Sequence, residues 1–339
     1  MEEKISFASL GRVEAIRRLY EGSGFEPFGD NRCKTASGQG ESVLRLLAEG
    51  TDFDLSYFPL KHLGYKCVVE VTAMLYARLA TPRCLGVSLC ISAKLDFGQV
   101  KELWEGICAA ARDYAYENVS LELGAGLNGL HIAVSAFGHL RELELKRRPA
   151  PKSRDLLCLS GNLGGAYIGL RVLEREKARI QGRDAKGTPE MKGLEKYKLL
   201  VGDYLRPVLD ADIPRLFCDG GFYPSCGVCV DKGLSDAVKR ICRQTGLGAK
   251  VYLDRIPFGG GLFDAAREMD IDAASTALNG GEDWRILFTL PLAQFEKFRH
   301  DFQTWQVIGH LAQPEAGAAL VMPDGLELPL RAQGWKEEE

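Results

Sequence analysis

The sequence predicts an α/β (α+β) protein built from two domains. Its 339 residues, 46% of them hydrophobic, are enough to bury a substantial core, and this length favours two domains over one. Apolar residues recur at helical spacing in some segments and alternate as in strands in others. A polar, proline-punctuated segment at 146–153 separates two such halves. We therefore expect an N-terminal domain over residues 1–147 and a C-terminal domain over residues 148–339.

The first half is predicted to contain strand, helix, strand and strand in that order. Residues 84–92 are strand-like, and residues 100–111 place apolar side chains at helical spacing. Residues 119–123 are again strand-like, and residues 130–137 alternate between apolar and polar positions. An alternation of strands with a helix is typical of an α/β or α+β architecture.

The second half begins with a predicted strand, 156–159, followed by the glycine-rich turn 160–165 and a helix that runs to about Ile180. Backbone amides of such a turn can contact a phosphate. The spacing matches neither the dinucleotide nor the P-loop fingerprint, which favours packing of the helix on the sheet over phosphate binding. Residues 234–245 predict a further helix that Gly246 terminates.

Composition excludes several classes of protein. The net charge is -3 and 26% of residues are charged, so the balance does not indicate a nucleic-acid binder. The start of the chain has no apolar signal core, and no stretch approaches the roughly 18 apolar residues of a membrane span. We expect a cytoplasmic protein that contacts neither nucleic acid nor membrane.

The ten cysteines are spread through the chain, which favours reduced, mostly buried side chains. One pair, Cys226 and Cys229, has the spacing of a zinc or redox motif. A zinc site needs two further ligands, and the sequence has no second such pair and no histidine-rich segment to supply them. A zinc or redox role for this pair is therefore the weakest of the functional hypotheses.

Three stretches of the sequence, 48–66, 155–167 and 278–288, carry a family resemblance. In order and spacing they resemble the thiamine-monophosphate kinases, which are part of the aminoimidazole-ribonucleotide-synthetase superfamily. The resemblance extends to residues 29–31 near the start and 334–335 near the end. It implies an N-terminal α/β domain whose sheet pairs with that of a second subunit, and a larger C-terminal α/β domain. The nucleotide would lie in the cleft between them.

The family transfers the γ-phosphoryl group of ATP to thiamine phosphate and gives thiamine diphosphate and ADP. The resemblance therefore implies ATP and Mg²⁺ as cofactors. Phosphoryl transfer depends on cations that bridge the phosphates rather than on a covalent nucleophile. Mg²⁺ prefers oxygen ligands, and the family supplies them as aspartates.

Most of these aspartates are replaced in this chain. The matching positions are Asn31, Arg45, Met74, Glu122, Cys229 and Lys232. Only Glu122 remains acidic, and the formal charge of the six positions rises by about 7 if every family aspartate is ionised. Asp30, Glu122 and Asp231 are the carboxylates that remain near the family's metal positions, with Asp30 and Glu122 as the remnant metal ligands. We expect metal binding to be impaired.

Other positions keep the residue type that the resemblance requires. Asp52 and Glu282 match contacts of the thiamine phosphate, and Arg148 matches a contact of the ATP phosphates. Arg45 and Lys232 would place two cations where the family has metal ligands, so that with Arg148 and the neighbouring Asp231 they could form a metal-free phosphate pocket. Alternatively, Arg45 and Lys232 pair with Glu122, Asp30 or Asp231 and leave a self-neutralised, empty cleft.

The sequence leaves two principal functional hypotheses. One is a thiamine-monophosphate kinase-like pseudoenzyme that keeps the fold and has little or no phosphotransfer. The other is an active kinase with an altered metal site formed by Asp30, Glu122 and Asp231. In both cases the resemblance implies a homodimer, for which segments 83–92 and 130–138 are expected to provide the sheet edges. A phosphorylated small molecule, either a thiamine phosphate or a nucleotide, is the ligand class that both hypotheses imply.

Overall fold

The computed structural model describes residues 38–181 and 194–335, together with residues 14, 17, 18, 21 and 32–35. The described chain forms two β-sheets with helices packed against them. Every strand of the first sheet precedes residue 142, and every strand of the second follows residue 155. The predicted α/β (α+β) fold class is therefore confirmed. None of the described helices is long and apolar enough to cross a membrane.

The first sheet has the strand order β1-β2-β5-β3-β4, in which only β3 and β4 are parallel. Its strands are β1 Arg32–Thr35, β2 Gly38–Ala48, β3 Thr81–Ser92, β4 Asn118–Gly126 and β5 His131–Arg141. The helices of this half are α1 Leu60–Tyr76, α2 Phe97–Asp113 and α3 Glu142–Arg147. Helix α2 begins with a capping box in which Asp96 and Gln99 satisfy each other's backbone amides. These elements include the helix and the three strands predicted for the first half.

Helices α1 and α2 cover one face of the first sheet and leave the other face open. Strand β2 shows this directly, because Val43 and Leu47 are buried whereas Leu44 and Leu46 are 76% and 61% exposed. Successive side chains of a strand point to opposite faces. The open face therefore carries large apolar side chains.

The expectation that segments 83–92 and 130–138 form sheet edges is wrong. Strand β5 lies between β2 and β3, and β3 lies between β5 and β4. Both segments are interior strands whose backbone groups are paired on both sides. The long edge of the described sheet is β4 instead.

The second sheet has the strand order β12-β11-β8-β10-β6-β9-β7, with β8 and β11 parallel. Its strands are β6 Leu156–Ser160, β7 Cys226–Val230, β8 Gly248–Tyr252, β9 Arg285–Leu290, β10 Trp305–Ala312, β11 Ala318–Val321 and β12 Glu327–Pro329. The helices are α4 Gly165–Gln181, α5 Lys198–Leu205, α6 Ile213–Gly220, α7 Leu234–Thr245, α8 Leu262–Glu268, α9 Ala273–Ser275 and α10 Phe295–Asp301. The predicted strand at 156–159 and the helix ending at Gly246, which has a left-handed φ of 68°, are confirmed.

The two halves pack tightly against each other along β7. This edge strand is buried along its whole length, because the end of α1 covers it. A Cβ on Gly227 would lie 2.1 Å from the carbonyl oxygen of Ala77, so only glycine permits this approach. The Tyr76 hydroxyl donates a hydrogen bond to the carbonyl of Ala211 at 2.9 Å, across the same boundary. One continuous hydrophobic cluster consequently includes residues of both halves.

Candidate functional site

Five charged side chains meet where the two halves join, and we call them the central charge cluster: Arg45, Asp52, Lys66, Glu70 and Glu282. Strand alternation places Arg45 on the helix-covered face of β2, between the buried positions 43 and 47. Lys66 and Glu70 are four residues apart on α1, so they project from the same side of that helix. Charge is thus concentrated at a position where the first sheet, α1 and the second half meet.

Arg45 is the centre of this cluster. Its Nε donates a hydrogen bond to Glu70 Oε2 at 2.9 Å. One of its terminal nitrogens lies 3.5 Å from Glu282 Oε1 and 3.6 Å from Asp52 Oδ1. The guanidinium carbon is 5.3 Å from the centre of the Trp284 ring. Arg45 is only 11% exposed, so these pairs are largely shielded from water.

Lys66 is the second cation of the cluster and is 1% exposed. Its ammonium lies 2.8 Å from Glu282 Oε2. It also lies 3.9 Å from the centre of the Tyr204 ring and 5.5 Å from that of Phe58. A buried ammonium is tolerated only when it is paired, and here a carboxylate and two aromatic faces stabilise it.

The two loops that carry Asp52 and Glu282 have well-defined backbone contacts. Asp52 Oδ2 accepts a hydrogen bond from the Ala48 amide at 2.9 Å, which closes the turn after β2. Glu282 and Trp284 have left-handed φ values of 65° and 52°, a conformation that costs free energy in residues other than glycine. The amide of Glu282 donates to the Asp231 carbonyl at 2.9 Å, which helps to hold this loop.

Two carboxylates of the cluster, Glu70 and Glu282, have pKa values that shift in opposite directions. Burial is the main cause that raises the pKa of Glu70 to about 8, and the negative charge of Glu282 adds to it. Burial alone would also raise the pKa of Glu282, but Lys66 and Arg45 outweigh it and hold that pKa below its ordinary value. The two cations thus favour the charged form of Glu282 in particular.

A second charge network lies beside the cluster, at the start of α7. Arg240 pairs with Asp231 and, through its Nε, with Asp236 Oδ2 at 2.8 Å. Asp236 Oδ1 in turn accepts a hydrogen bond from the indole of Trp335 at 2.9 Å. Burial alone would raise the pKa of Asp231, but Arg240 and Lys232 hold it below its ordinary value. Asp231 and Asp236 are therefore both bound to Arg240, which lies on α7.

The structure brings together some of the predicted site residues. Arg45, Asp52 and Glu282 share the central charge cluster, and Asp231 adjoins it through its carbonyl. Lys232 is exposed and forms no ion pair within the described chain, although its charge acts on both Asp231 and Glu282. Lys232 is thus the cation of this group that stays accessible to solvent.

Three other predicted site residues are not part of the cluster. Glu122 lies on β4, three strands from β2 or about 14 Å away, on the open face of the sheet. Arg148 donates to the carbonyl of Arg78, which lies two residues beyond the C-terminal end of α1. Asp30 lies outside the described residues.

Carboxylates neutralise Arg45, as one of the two alternatives predicted, but they are not the carboxylates that the sequence indicated. The expected carboxylates were those near the family's metal positions, whereas the observed ones include Glu70, which sequence reasoning missed together with Lys66. Both are charged residues at i, i+4 spacing within the mostly apolar run 63–76 of α1. That pattern is a signal that could have identified them.

The Cys226 and Cys229 pair does not form a metal site. The two residues are three apart on β7, so their side chains point to opposite faces of the sheet. Each thiol belongs to a different hydrophobic cluster, and the Cys226 thiol donates to Gln244 at 3.1 Å. Burial raises the pKa of the Cys229 thiol well above its ordinary range. The two thiols therefore do not face a common metal ion.

The glycine-rich turn before α4 packs against a carboxylate. The amide of Gly164 donates to Asp283 at 3.0 Å, and that of Ala166 at 3.5 Å. Burial raises the pKa of Asp283 to about 7, although Arg285 opposes this change. These amides, which could otherwise meet a phosphate, are bound to a side chain of the chain itself.

The residues present do not fit a magnesium ion. Asp52, Glu70 and Glu282 converge on Arg45 rather than on an open position. Across the described ranges, no group of three or more histidine, cysteine, aspartate or glutamate side chains is arranged to hold a metal ion. A guanidinium at the centre of the carboxylates repels a second cation.

Comparison with known proteins gives relatives that match most of the chain. No family model matches the sequence. The thiamine-monophosphate kinase of Methanopyrus kandleri is 25% identical over 233 residues, which cover 68% of this chain and 67% of that protein. The thiamine-monophosphate kinase of Aquifex aeolicus is 23% identical over 292 residues, which cover 86% and 85%.

Solved structures show the same fold. AaThiL complexed with AMPPCP and TMP superposes with a TM-score of 0.78 at 20% identity, and the match covers 98% of this chain and 99% of that one. The hydrogenase maturation protein HypE of E. coli superposes with a TM-score of 0.62 at 13% identity over 94% and 96% of the two chains. The sequence relatives and the AaThiL structure agree with the resemblance that the sequence motifs indicate.

Proposed function

We propose that this chain, a divergent relative of the thiamine-monophosphate kinases in sequence and fold, performs little or no phosphoryl transfer. The observation that carries the proposal is the position of Arg45 among Asp52, Glu70 and Glu282. Transfer from ATP requires cations that bridge the β- and γ-phosphates. Here the cleft carboxylates that could hold such ions are bound to a fixed guanidinium.

The absence of bridging metal ions would lower the rate of phosphoryl transfer strongly. Metal ions stabilise the charge that develops on the transferred group by several kcal/mol. Arg45 is largely buried and engaged with carboxylates, so it cannot replace such an ion on the phosphates without breaking these pairs. The neighbouring acids Asp231 and Asp236 are both bound to Arg240. Neither half of the described chain therefore supplies an open set of oxygen ligands.

A coupled assay of ATP consumption with thiamine monophosphate and Mg²⁺ tests the proposal. The Aquifex aeolicus thiamine-monophosphate kinase, measured in parallel, is the positive control. We expect no turnover above background from this chain, and Arg45→Asp alone should not restore it because Lys66 and Arg240 still occupy the carboxylates. Turnover in the usual kinase range of roughly 1 to 100 per second would overturn the proposal.

An active kinase with an altered metal site is the alternative outcome of that assay. It would use Asp30, Glu122 and Asp231. Glu122 is exposed on an edge strand and Asp231 is buried in the other half, so the described members of this set come from separate surfaces. If turnover is observed, Glu122→Gln and Asp231→Asn separate this hypothesis from a contaminating activity, since both changes should abolish it.

The ligand class that the cleft favours is a phosphorylated small molecule bound without metal. Lys232 is the exposed cation beside Glu282 and Asp231, and an ammonium can contact phosphate oxygens directly. Titration calorimetry with ATP and with thiamine phosphates, each in the presence of a chelator, measures this binding. Lys232→Ala should weaken it, whereas Lys101→Ala on the surface of α2 should not. A strict requirement for Mg²⁺ would contradict it.

We also propose a homodimer through the first sheet. Leu44 and Leu46 project from the open face of β2, where they are more exposed than the arginine between them. Large apolar side chains on an exposed sheet face are typical of a protein interface. Sedimentation at micromolar concentration should give the mass of two chains, and a monomer would count against the dimer.

A further inference from the structure

A cavity of about 490 Å³ lies in the second half of the chain, between α10, the start of β10 and the 3₁₀ helix Leu253–Arg255. Small-molecule sites usually have volumes of about 300 to 1,000 Å³. None of the described residues that line the cavity belongs to the central charge cluster or to the network around Arg240. The cavity is therefore separate from the cleft between the two halves.

One wall of the cavity is aromatic. Phe295, Phe298 and Trp305 line it. Phe298 and Trp305 are only 1% and 9% exposed, and their rings meet at 82° with centres 6.1 Å apart in the hydrophobic core. Phe295 is partly buried and packs against the same core. Side chains that are fixed by core packing offer a rigid apolar surface to the flat body of a ligand.

Two arginines line the cavity from different elements. Arg255 ends the 3₁₀ helix, and Arg299 lies on α10. Both are exposed, and neither forms an ion pair with a carboxylate of the described chain. Each guanidinium instead lies over an aromatic ring, 5.2 Å from the centre of Tyr252 for Arg255 and 6.0 Å from that of Phe295 for Arg299. With Asp254 as the acid among the lining residues, two positive charges and one negative charge leave a net charge of +1.

Further positive charge lies beside the cavity, around His310 on β10. Lys250 is directly opposite His310 on the neighbouring strand β8. Burial is the main cause that lowers the pKa of His310, and the positive charges of Lys250, Arg154 and Arg255 add to it, against the opposing charge of Glu327. Arg255 thus belongs both to the cavity and to this cationic group. An anion that enters the cavity would meet a positive potential.

We propose that this cavity binds a small phosphate monoester with a flat apolar body. The body lies against Phe295 and Trp305, and the phosphate contacts Arg255 and Arg299. A guanidinium can bind two phosphate oxygens through parallel hydrogen bonds. A phosphate monoester carries close to two negative charges at about pH 8, because its second pKa is about 6. Two guanidiniums without carboxylate partners match this charge better than that of a single carboxylate.

Titration calorimetry of the full chain with phenyl phosphate, at about pH 8 and low ionic strength, tests this inference. We expect binding at least about tenfold tighter than that of inorganic phosphate, which lacks the apolar body, or of benzyl alcohol, which lacks the charge. Arg255→Ser and Arg299→Ser should each weaken the binding about tenfold, because each removes hydrogen bonds to a charged group.

Arg267→Ser on α8 is the matched control. Arg267 is also an exposed arginine, and it does not line the cavity. The change removes the same charge and should leave the affinity for phenyl phosphate unchanged. Lys232→Ala removes the exposed cation of the cleft and should also keep this site. All four variants change exposed side chains and should melt at the temperature of the native chain.

Several results would overturn the inference. They are no binding of phenyl phosphate at millimolar concentration, equal affinities for phenyl phosphate and inorganic phosphate, and an unchanged affinity in Arg255→Ser or in Arg299→Ser. An equal loss in Arg267→Ser would show a general effect of charge, and loss of the site in Lys232→Ala would place the ligand in the cleft. None of these readouts uses phosphoryl transfer, so they are independent of the kinase assay.

Discussion

Replacement of Lys66 by methionine should destabilise the protein strongly. The change keeps an unbranched side chain of similar length but removes the ammonium, which lies 2.8 Å from Glu282 and over the rings of Tyr204 and Phe58. Breaking one side of a buried ion pair costs about 3 to 5 kcal/mol. Glu282 is 20% exposed and keeps Arg45 at 3.5 Å, so we expect a loss near the lower end, about 3 kcal/mol.

Lys61 on the same helix provides the matched control. It is 65% exposed and lies 4.0 Å from the exposed Glu105. Exposed ion pairs contribute about 0 to 1 kcal/mol, so Lys61→Met should change the free energy of unfolding by less than about 1 kcal/mol. The comparison separates the loss of a buried pair from the loss of a positive charge on α1.

Urea denaturation followed by tryptophan fluorescence measures these free energies. A double-mutant cycle with Lys66→Met and Glu282→Gln then isolates the pairwise term, which we expect to be about 1 to 3 kcal/mol. A loss below about 1 kcal/mol in Lys66→Met, or a coupling energy near zero, would refute the electrostatic role assigned to Lys66.

Three further predictions concern other parts of the molecule. The folded-state pKa of Asp283 lies above its unfolded value, so the free energy of unfolding should fall as the pH rises from about 4 to about 7. Denaturation measured across this pH range should show a smaller fall in Asp283→Asn. Gly64→Ala places a Cβ 2.1 Å from the Leu103 carbonyl and should lower thermal stability, whereas Gly202→Ala meets no atom within 4 Å and should raise it by up to about 1 kcal/mol. Equal effects of the two changes would contradict this. Leu44→Asp should give a folded monomer in sedimentation, and an unchanged dimer would exclude the open sheet face as the interface.

Local sequence patterns predicted part of the fold, namely three strands and one helix of the first half and one strand and two helices of the second. Helical spacing over 100–111 and alternation over 130–137 reflect which side chains face the core, and each residue carries that information itself. The order of strands was not accessible in this way. Segments 83–92 and 130–138 look alike in sequence whether they lie at an edge or inside a sheet, because position in a sheet depends on which other strands pair with them.

The resemblance carried by the sequence predicted that a cation, Arg45, stands where the thiamine-monophosphate kinases would have an aspartate. Only the tertiary structure decided what it contacts. Its partners Glu70 and Glu282 come from α1 and from the other half of the chain. The position of β2 relative to α1 and the packing of the two halves set these distances. Both depend on contacts between residues far apart in the sequence, which the helix or strand preference of a local segment does not determine.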